Sequence, residues 1–404
     1  DKHLEAALLK AKLDLQSGAY DEVISDLRTV LKDNPNSADA MTLMGQAYLK
    51  TDSPELAEES FKKVLAINPA NFDALLPVIA NLIKNKEAAK ADELLLKSLN
   101  VIPDHPGALQ ALAQVRLLQK DWVGAQKVAD FIASKPQGAG FSKFLSARIS
   151  EEQGHYKEAT GLYKEALKLA PDLSDALRGM ANSYEALKQN QAMYDYLDGF
   201  IAAHPSDPNP WLLKSQMLAK DNRSDESIKV LSEAIGKWPK IPEFYEALAT
   251  NHLKNKDSEQ AIAAIKKGLD TIPSHIRLNI MLASIYDQLG EYAKALEIYE
   301  LLAAEYPNVD LIVNNLVSLL LDHFNTKENN ARALDLAKRI EHAQQPVFID
   351  TYAWALINNG KSEEALSLLR VIVKKMPEVP VFRYHLATAY HKTNSKARAV
   401  TELE

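Results

Sequence analysis

The residues able to do covalent chemistry are few, and their spacing keeps them apart. Gly138-x-Gly140-Phe141-Ser142-Lys143 has the glycines and the lysine of a phosphate-cradling loop. Such a loop follows a strand and closes on Gly-Lys-Ser or Gly-Lys-Thr, so that its backbone N–H groups surround the phosphates. This stretch follows a helical pattern and lacks that ending, so it reads as a turn. Ser60-x-x-Lys63 sets a hydroxyl and an amine one helical turn apart, the spacing of an acyl-transfer nucleophile and its base. It stands in a regular helical pattern with no partner motif. His385 and His391 are six positions apart and fall on different helical faces, which does not make a metal-binding pair. The sequence has no cysteine, hence no disulfide, no thiolate chemistry and no cysteine-based zinc site. It therefore predicts no enzyme, no cofactor and no metal centre.

Composition narrows the partners. The 404 residues are 47% hydrophobic and 25% charged, an ordinary balance with ample core-forming material. A net charge of -7 without a basic tract argues against nucleic acid. No apolar run approaches the ~18 residues of a membrane span. The lack of cysteine fits an oxidising compartment. The chain opens at Asp1 rather than a methionine and stops at Glu404 inside a helical pattern, so both ends are expected to be cut edges of a longer protein.

The elements that must position any site come from one recurring unit, clearest over Ala38 to Asn71. Met41, Met44 and Tyr48 recur at i, i+3 and i+7, which is one face of a first helix. Ala57, Phe61 and Val64 do the same on a second. Gly45 and Ala57 are small, so the two helices can approach closely. Ser53 is placed to cap the second helix and Pro54 suits its first position. Asn68-Pro69 ends it. Such a hairpin cannot bury both faces alone and needs copies of itself.

Proline marks those copies. Pro35, Pro69, Pro103, Pro171, Pro205, Pro239, Pro273, Pro307 and Pro377 share the closing position, and Pro106, Pro208, Pro242, Pro346 and Pro380 open the following unit. Only Pro77 falls inside a helical pattern, where it should kink or loosen the helix. One continuous array over 1–404 is expected, with about twelve units starting near residues 4, 38, 72, 106, 140, 174, 208, 242, 276, 310, 346 and 380, the last one cut short. Unit ten has 36 residues, with its extra length in or after His323–Glu328.

Met41-x2-Met44-Gly45-x2-Tyr48, Ala57-x3-Phe61 and Pro69, in a frame of about 34 residues, resemble the tetratricopeptide repeat (TPR). The resemblance covers the whole chain. It implies an all-α superhelical solenoid of antiparallel helix pairs, with first helices on the concave surface. It also implies a scaffold that binds a protein or extended peptide through certain first-helix positions. Those positions hold two clusters here. The first is Gln110, Gln114, Phe141, Phe144, Arg148, Arg178 and Asn182, where amides and arginines beside exposed aromatics would hold a peptide backbone and a carboxylate. The second is Asn314, Asn315, Asp350, Trp354, Tyr384, His385 and His391, which would grip a peptide or a sugar by stacking and hydrogen bonding. The Lys, Asn and Arg pattern of TPR domains that hold chaperone C-terminal tails is missing: Leu213 stands where Asn is needed after Arg178 and Asn182.

A narrower resemblance rests on Asn314-Asn315-Leu316, Ala333-Leu334-Asp335-Leu336-Ala337, Asp350-Thr351-Tyr352-Ala353-Trp354 and Tyr384-His385-Leu386-Ala387. These phrases look like the C-terminal repeats of bacterial envelope TPR lipoproteins of the exopolysaccharide and PEP-CTERM type. They imply a role in assembly or secretion of an envelope component, on the periplasmic side, with a lipid anchor open to the full-length protein. Three alternatives stay open: direct contact with an exopolysaccharide or its synthase, a TPR arm of an enzyme whose catalytic domain lies elsewhere, and a cytoplasmic location.

Overall fold

The computed structural model describes residues 2–404, and side chains from His3 onward. Among the described residues there is no strand. Contacts divide the chain into two compact units, one ending at Ala203 and one beginning at His204. The first holds α1 (Lys2–Ser17), α2 (Tyr20–Asp33), α3 (Ala38–Lys50), α4 (Pro54–Ile67), α5 (Phe72–Lys84), α6 (Ala88–Val101), α7 (Pro106–Leu118), α8 (Trp122–Ala133), α9 (Ala139–Glu152), α10 (Tyr156–Leu169), α11 (Ser174–Ala186) and α12 (Asn190–Ala203). The second holds α13 (Asn209–Lys220), α14 (Ser224–Lys237), α15 (Pro242–Lys254), α16 (Ser258–Thr271), α17 (Ile276–Gln288), α18 (Tyr292–Glu305), α19 (Asp310–His323), α20 (Lys327–Ala337), α21 (Pro346–Asn358), α22 (Ser362–Lys375), α23 (Pro380–Lys392) and α24 (Lys396–Leu403). Odd-numbered helices are the first of each pair and even-numbered ones the second.

The hairpins close for local reasons. Most first helices end on a left-handed residue, which lets the next N–H reach back over the last turn. The Glu87 N–H donates to the Leu82 carbonyl at 2.8 Å, and the Asp257 N–H to that of His252 at 2.8 Å. Glycine takes that left-handed position at Gly154, Gly290 and Gly360, while Lys86, Lys188 and Lys256 adopt it at the steric cost of a β-carbon. The return turn is held by side-chain caps. Asn71 accepts from the Ala74 N–H, and His105 and His275 accept through Nδ1 from Ala108 and Leu278. His105 and His275 are thus helix caps. Ser53 stands at a cap position, but its hydroxyl donates to the Thr51 carbonyl instead, and Pro54 alone opens α4.

Packing follows the small positions. A β-carbon on Gly45 would lie 2.6 Å from the Phe61 ring, so the absent side chain is what lets α3 and α4 close on that phenyl group. Phe61, Tyr163, Tyr245 and Phe244 are fully buried, each worth roughly 1.5–3 kcal/mol of transfer free energy. Within each unit successive first helices pack on one another, as α7 on α9, α13 on α15 and α19 on α21. Among the described residues second helices show no comparable mutual packing. First helices therefore form the crowded inner side of each stack.

Two irregularities refine the repeat. α5 runs through Pro77 as one helix, and a hollow of about 250 Å³ lined by Leu49 and Phe61 lies beside the proline. The pair α19–α20 has no left-handed turn. Phe324–Thr326 joins its helices, the Thr326 hydroxyl caps α20, and α20 ends early in a 3-10 turn, Lys338–Ile340.

Candidate recognition surfaces on the first helices

The first cluster divides. Gln110 and Gln114 are exposed on α7, and Phe141 is half-buried on α9. Phe144 is not an exposed aromatic: it is buried, its ring 6.1 Å from Tyr163 and 5.6 Å from Phe141. One turn of helix carries Phe144 from the open face to the α9–α10 seam. Arg148 on α9 and Arg178 and Asn182 on α11 do come together, lining a pocket of about 550 Å³.

That pocket is of mixed charge. Glu151, Glu152 and Asp175 also line it. Arg148 is not free: its guanidinium lies 3.3 Å from Glu152 Oε1 and 3.7 Å from Glu151 Oε2. Arg178 and Asn182 are exposed. Burial pushes the Glu151 carboxyl above the usual range, against a hydrogen bond from the buried Tyr163 hydroxyl and the Arg148 charge. Burial, reinforced by the hydrogen bond to Glu151, also raises the Tyr163 phenol. Tyr163 reaches Glu151 past Gly179, where a β-carbon would lie 2.3 Å from the phenol oxygen. The acidic members were missed from sequence. Their signal was there: Glu151 and Glu152 follow Arg148 at i+3 and i+4, the helical neighbours that neutralise it.

The second cluster is mostly internal. Asp350 and His385 are 5% and 8% exposed, and His385 Nδ1 lies 2.9 and 3.0 Å from the two Asp350 carboxylate oxygens. They form a buried hydrogen-bonded pair joining α21 to α23 rather than an exposed surface. Trp354 stacks on His385 at 4.1 Å and 14°, and its indole N–H donates to Asp322 at 3.0 Å. Asn314 is buried too, donating to Asn315, whose amide donates to the Tyr299 hydroxyl at 3.2 Å. Of this cluster Tyr384, 53% exposed, and His391 face solvent.

Stacked antiparallel hairpins of this kind define a repeat solenoid of all-α class, and direct comparison finds the repeat itself. One tetratricopeptide-repeat family profile matches residues 14–70 and 252–320, and a second matches 144–177. Tetratricopeptide repeats are thus detected in the chain. Among curated proteins it is similar to tetratricopeptide repeat protein 21B of Mus musculus, with 22% identity over 95% of this chain and 30% of that protein. It is similar to DnaJ protein P58IPK homolog B of Oryza sativa, with 27% identity over 43% of this chain and 33% of that one. TPR repeat-containing protein YpiA of Bacillus subtilis is 21% identical over 84% of this chain and 87% of its own length. The chain spans about a third of the length of the first two relatives. Among solved structures, yeast Tom70 aligns with 100% of this chain and 91% of its own at 16% identity and a TM-score of 0.41.

Proposed function

We propose that the chain is a non-catalytic scaffold whose first-helix face binds an extended segment of a partner protein. The observation that carries this reading is the pocket between α9 and α11. There Arg178 and Asn182 stand exposed beside Arg148 and three carboxylates. Alternating donors and acceptors on a rigid helical floor suit a peptide backbone, which offers an N–H and a C=O at every residue. Surfaces of this kind recognise a segment through a few anchors, with the remaining contacts supplying fit. As part of the same proposal the scaffold serves assembly or secretion at a bacterial envelope, on the periplasmic side. The phrases of the last three repeats and the lack of cysteine support that placement.

The test uses the whole chain as bait in extract from its native cells, against an Arg148→Ala/Arg178→Ala double variant and a Tyr384→Ala variant. One dominant protein retained by the parent and lost with the arginines is the expected result. Loss only with Tyr384→Ala moves the binding face to the second unit. Retention of envelope polysaccharide without any protein overturns the protein-scaffold reading. Recovery of the native protein in the cytosolic fraction overturns the envelope placement.

A further inference from the structure

Repeat seven differs from the others in sequence. Both of its small interhelical positions are serine, Ser215 and Ser227, where other repeats mostly carry alanine. The structure shows what they serve. The Ser227 hydroxyl donates to the Ser215 carbonyl at 2.7 Å, and Asn251 Nδ2 donates to the Ser227 hydroxyl at 3.0 Å and to the Ala247 carbonyl at 3.0 Å. A carbonyl only accepts, so these bonds fix which way the Asn251 amide points. Its Oδ1 is left buried without a partner, although the residue is only 4% exposed. Unpartnered buried acceptors are uncommon because they forfeit hydration with no return.

Asn251 lines a pocket of about 380 Å³ built by α13, α15 and α17, the first helices of three successive repeats. Leu212, Ala219 and Ala247 give it apolar walls. Glu246 is buried within it and Glu243 is exposed at its edge. Burial raises the Glu246 carboxyl above its usual range, in spite of Arg277 and His275 nearby. Its partner is Arg277 Nε at 2.9 Å, from a side chain 75% exposed. Lys254, the other cation of the pocket, is held by the Ala219 carbonyl and Asn222 Oδ1.

We propose that this pocket is a subsite for one basic side chain, lysine or arginine, of an extended partner segment, held by Glu246 and Asn251 Oδ1. The apolar walls fit the methylene stem of such a side chain, and the buried acceptors fit its N–H donors. Arg277 already occupies the charge position from outside, as a stand-in that an incoming cation displaces at small cost because it is solvated. An anionic side chain is refused by the two carboxylates. This subsite rests on the scaffold reading above but not on the arginine pocket of the first unit.

The experiment titrates the whole chain, by calorimetry at physiological salt, with end-blocked glycine–alanine nonapeptides carrying one central lysine, arginine, norleucine or glutamate. Lysine and arginine peptides are expected to bind at least about tenfold tighter than the norleucine peptide, as a charged hydrogen bond to a buried acceptor requires. Glu246→Gln should remove that preference. Arg277→Ala should tighten the basic peptides severalfold by removing the competitor. Equal binding of lysine and norleucine peptides overturns the subsite, as does an Arg277→Ala chain that binds the lysine peptide no better than the parent. A distant control, Glu93→Gln, that weakens binding as much as Glu246→Gln would reduce the effect to bulk charge and overturn it as well. If the basic peptides fail while the arginine double variant still loses its captured partner, the subsite falls and the scaffold stands.

Discussion

The pocket between α9 and α11 and the cluster across α19, α21 and α23 carry similar residues at corresponding first-helix positions, yet they meet opposite fates. In the first unit Arg178 remains exposed, lining a pocket of about 550 Å³. In the second, Asp350 and His385 close on each other and Trp354 stacks on His385. A polar residue on the inner face is thus an open contact or a staple between repeats, according to what the next repeat offers it. Asp350 meets a donor 35 positions on, whereas Arg178 belongs to a pocket with carboxylates on both sides. The lesson is that a first-helix polar residue should be judged together with its counterpart one repeat away.

The largest expected effect breaks the staple. His385→Ala leaves Asp350 buried without its donor and uncovers Trp354, and should cost about 3–5 kcal/mol in chemical denaturation. A loss under about 1 kcal/mol would mean the pair is no more structural than a surface contact. Next comes Gly179→Ala, which drives a β-carbon against the Tyr163 hydroxyl and should cost about 1–3 kcal/mol by overpacking. An unchanged melting curve would show that Tyr163 shifts freely and that Glu151 does not depend on it.

Glu151→Gln sharpens the comparison through pH. The Glu151 carboxyl is raised in the fold, so the folded chain holds that proton more tightly than the unfolded chain does. Its contribution to stability is fully present below the unfolded pKa and is lost as pH rises through the folded value. The amide mimics the protonated form. The variant should therefore match or exceed the parent in melting temperature at neutral pH, with the gap closing as pH falls into the carboxylate range. A variant that loses stability at neutral pH but not in acid would assign the Arg148–Glu151 contact the larger share. The smallest effect is on the open side: Arg178→Ala should change stability by no more than about 0.5 kcal/mol, since it removes an exposed side chain. It should nevertheless weaken partner capture. Unfolding of this variant would turn Arg178 into another staple.

Much of the architecture was legible in the chain because it is written locally. Met41, Met44 and Tyr48 define one helical face, Gly45 admits the Phe61 ring, and the prolines mark where hairpins close. The long tenth repeat was visible as extra residues after His323. That its second helix would begin from a Thr326 cap and end in a 3-10 turn was not, because caps depend on rotamers rather than on period. Ser53 shows the same limit: a good cap by type, its hydroxyl is spent on Thr51. Phe144 was misjudged because one step around a helix separates the open face from the seam.

By itself, then, the sequence determined the helices and their pairing, since a period of 3.6 within a period of about 34 is met by stacked hairpins. Tertiary structure decided which polar groups are spent inside and which stay exposed. That choice depends on side chains a full repeat away, such as Asp350 with His385 or Asp322 with Trp354. It depends as well on whether a buried atom such as Asn251 Oδ1 finds its bond within the chain, and burial is a property of the packed stack that no single repeat contains.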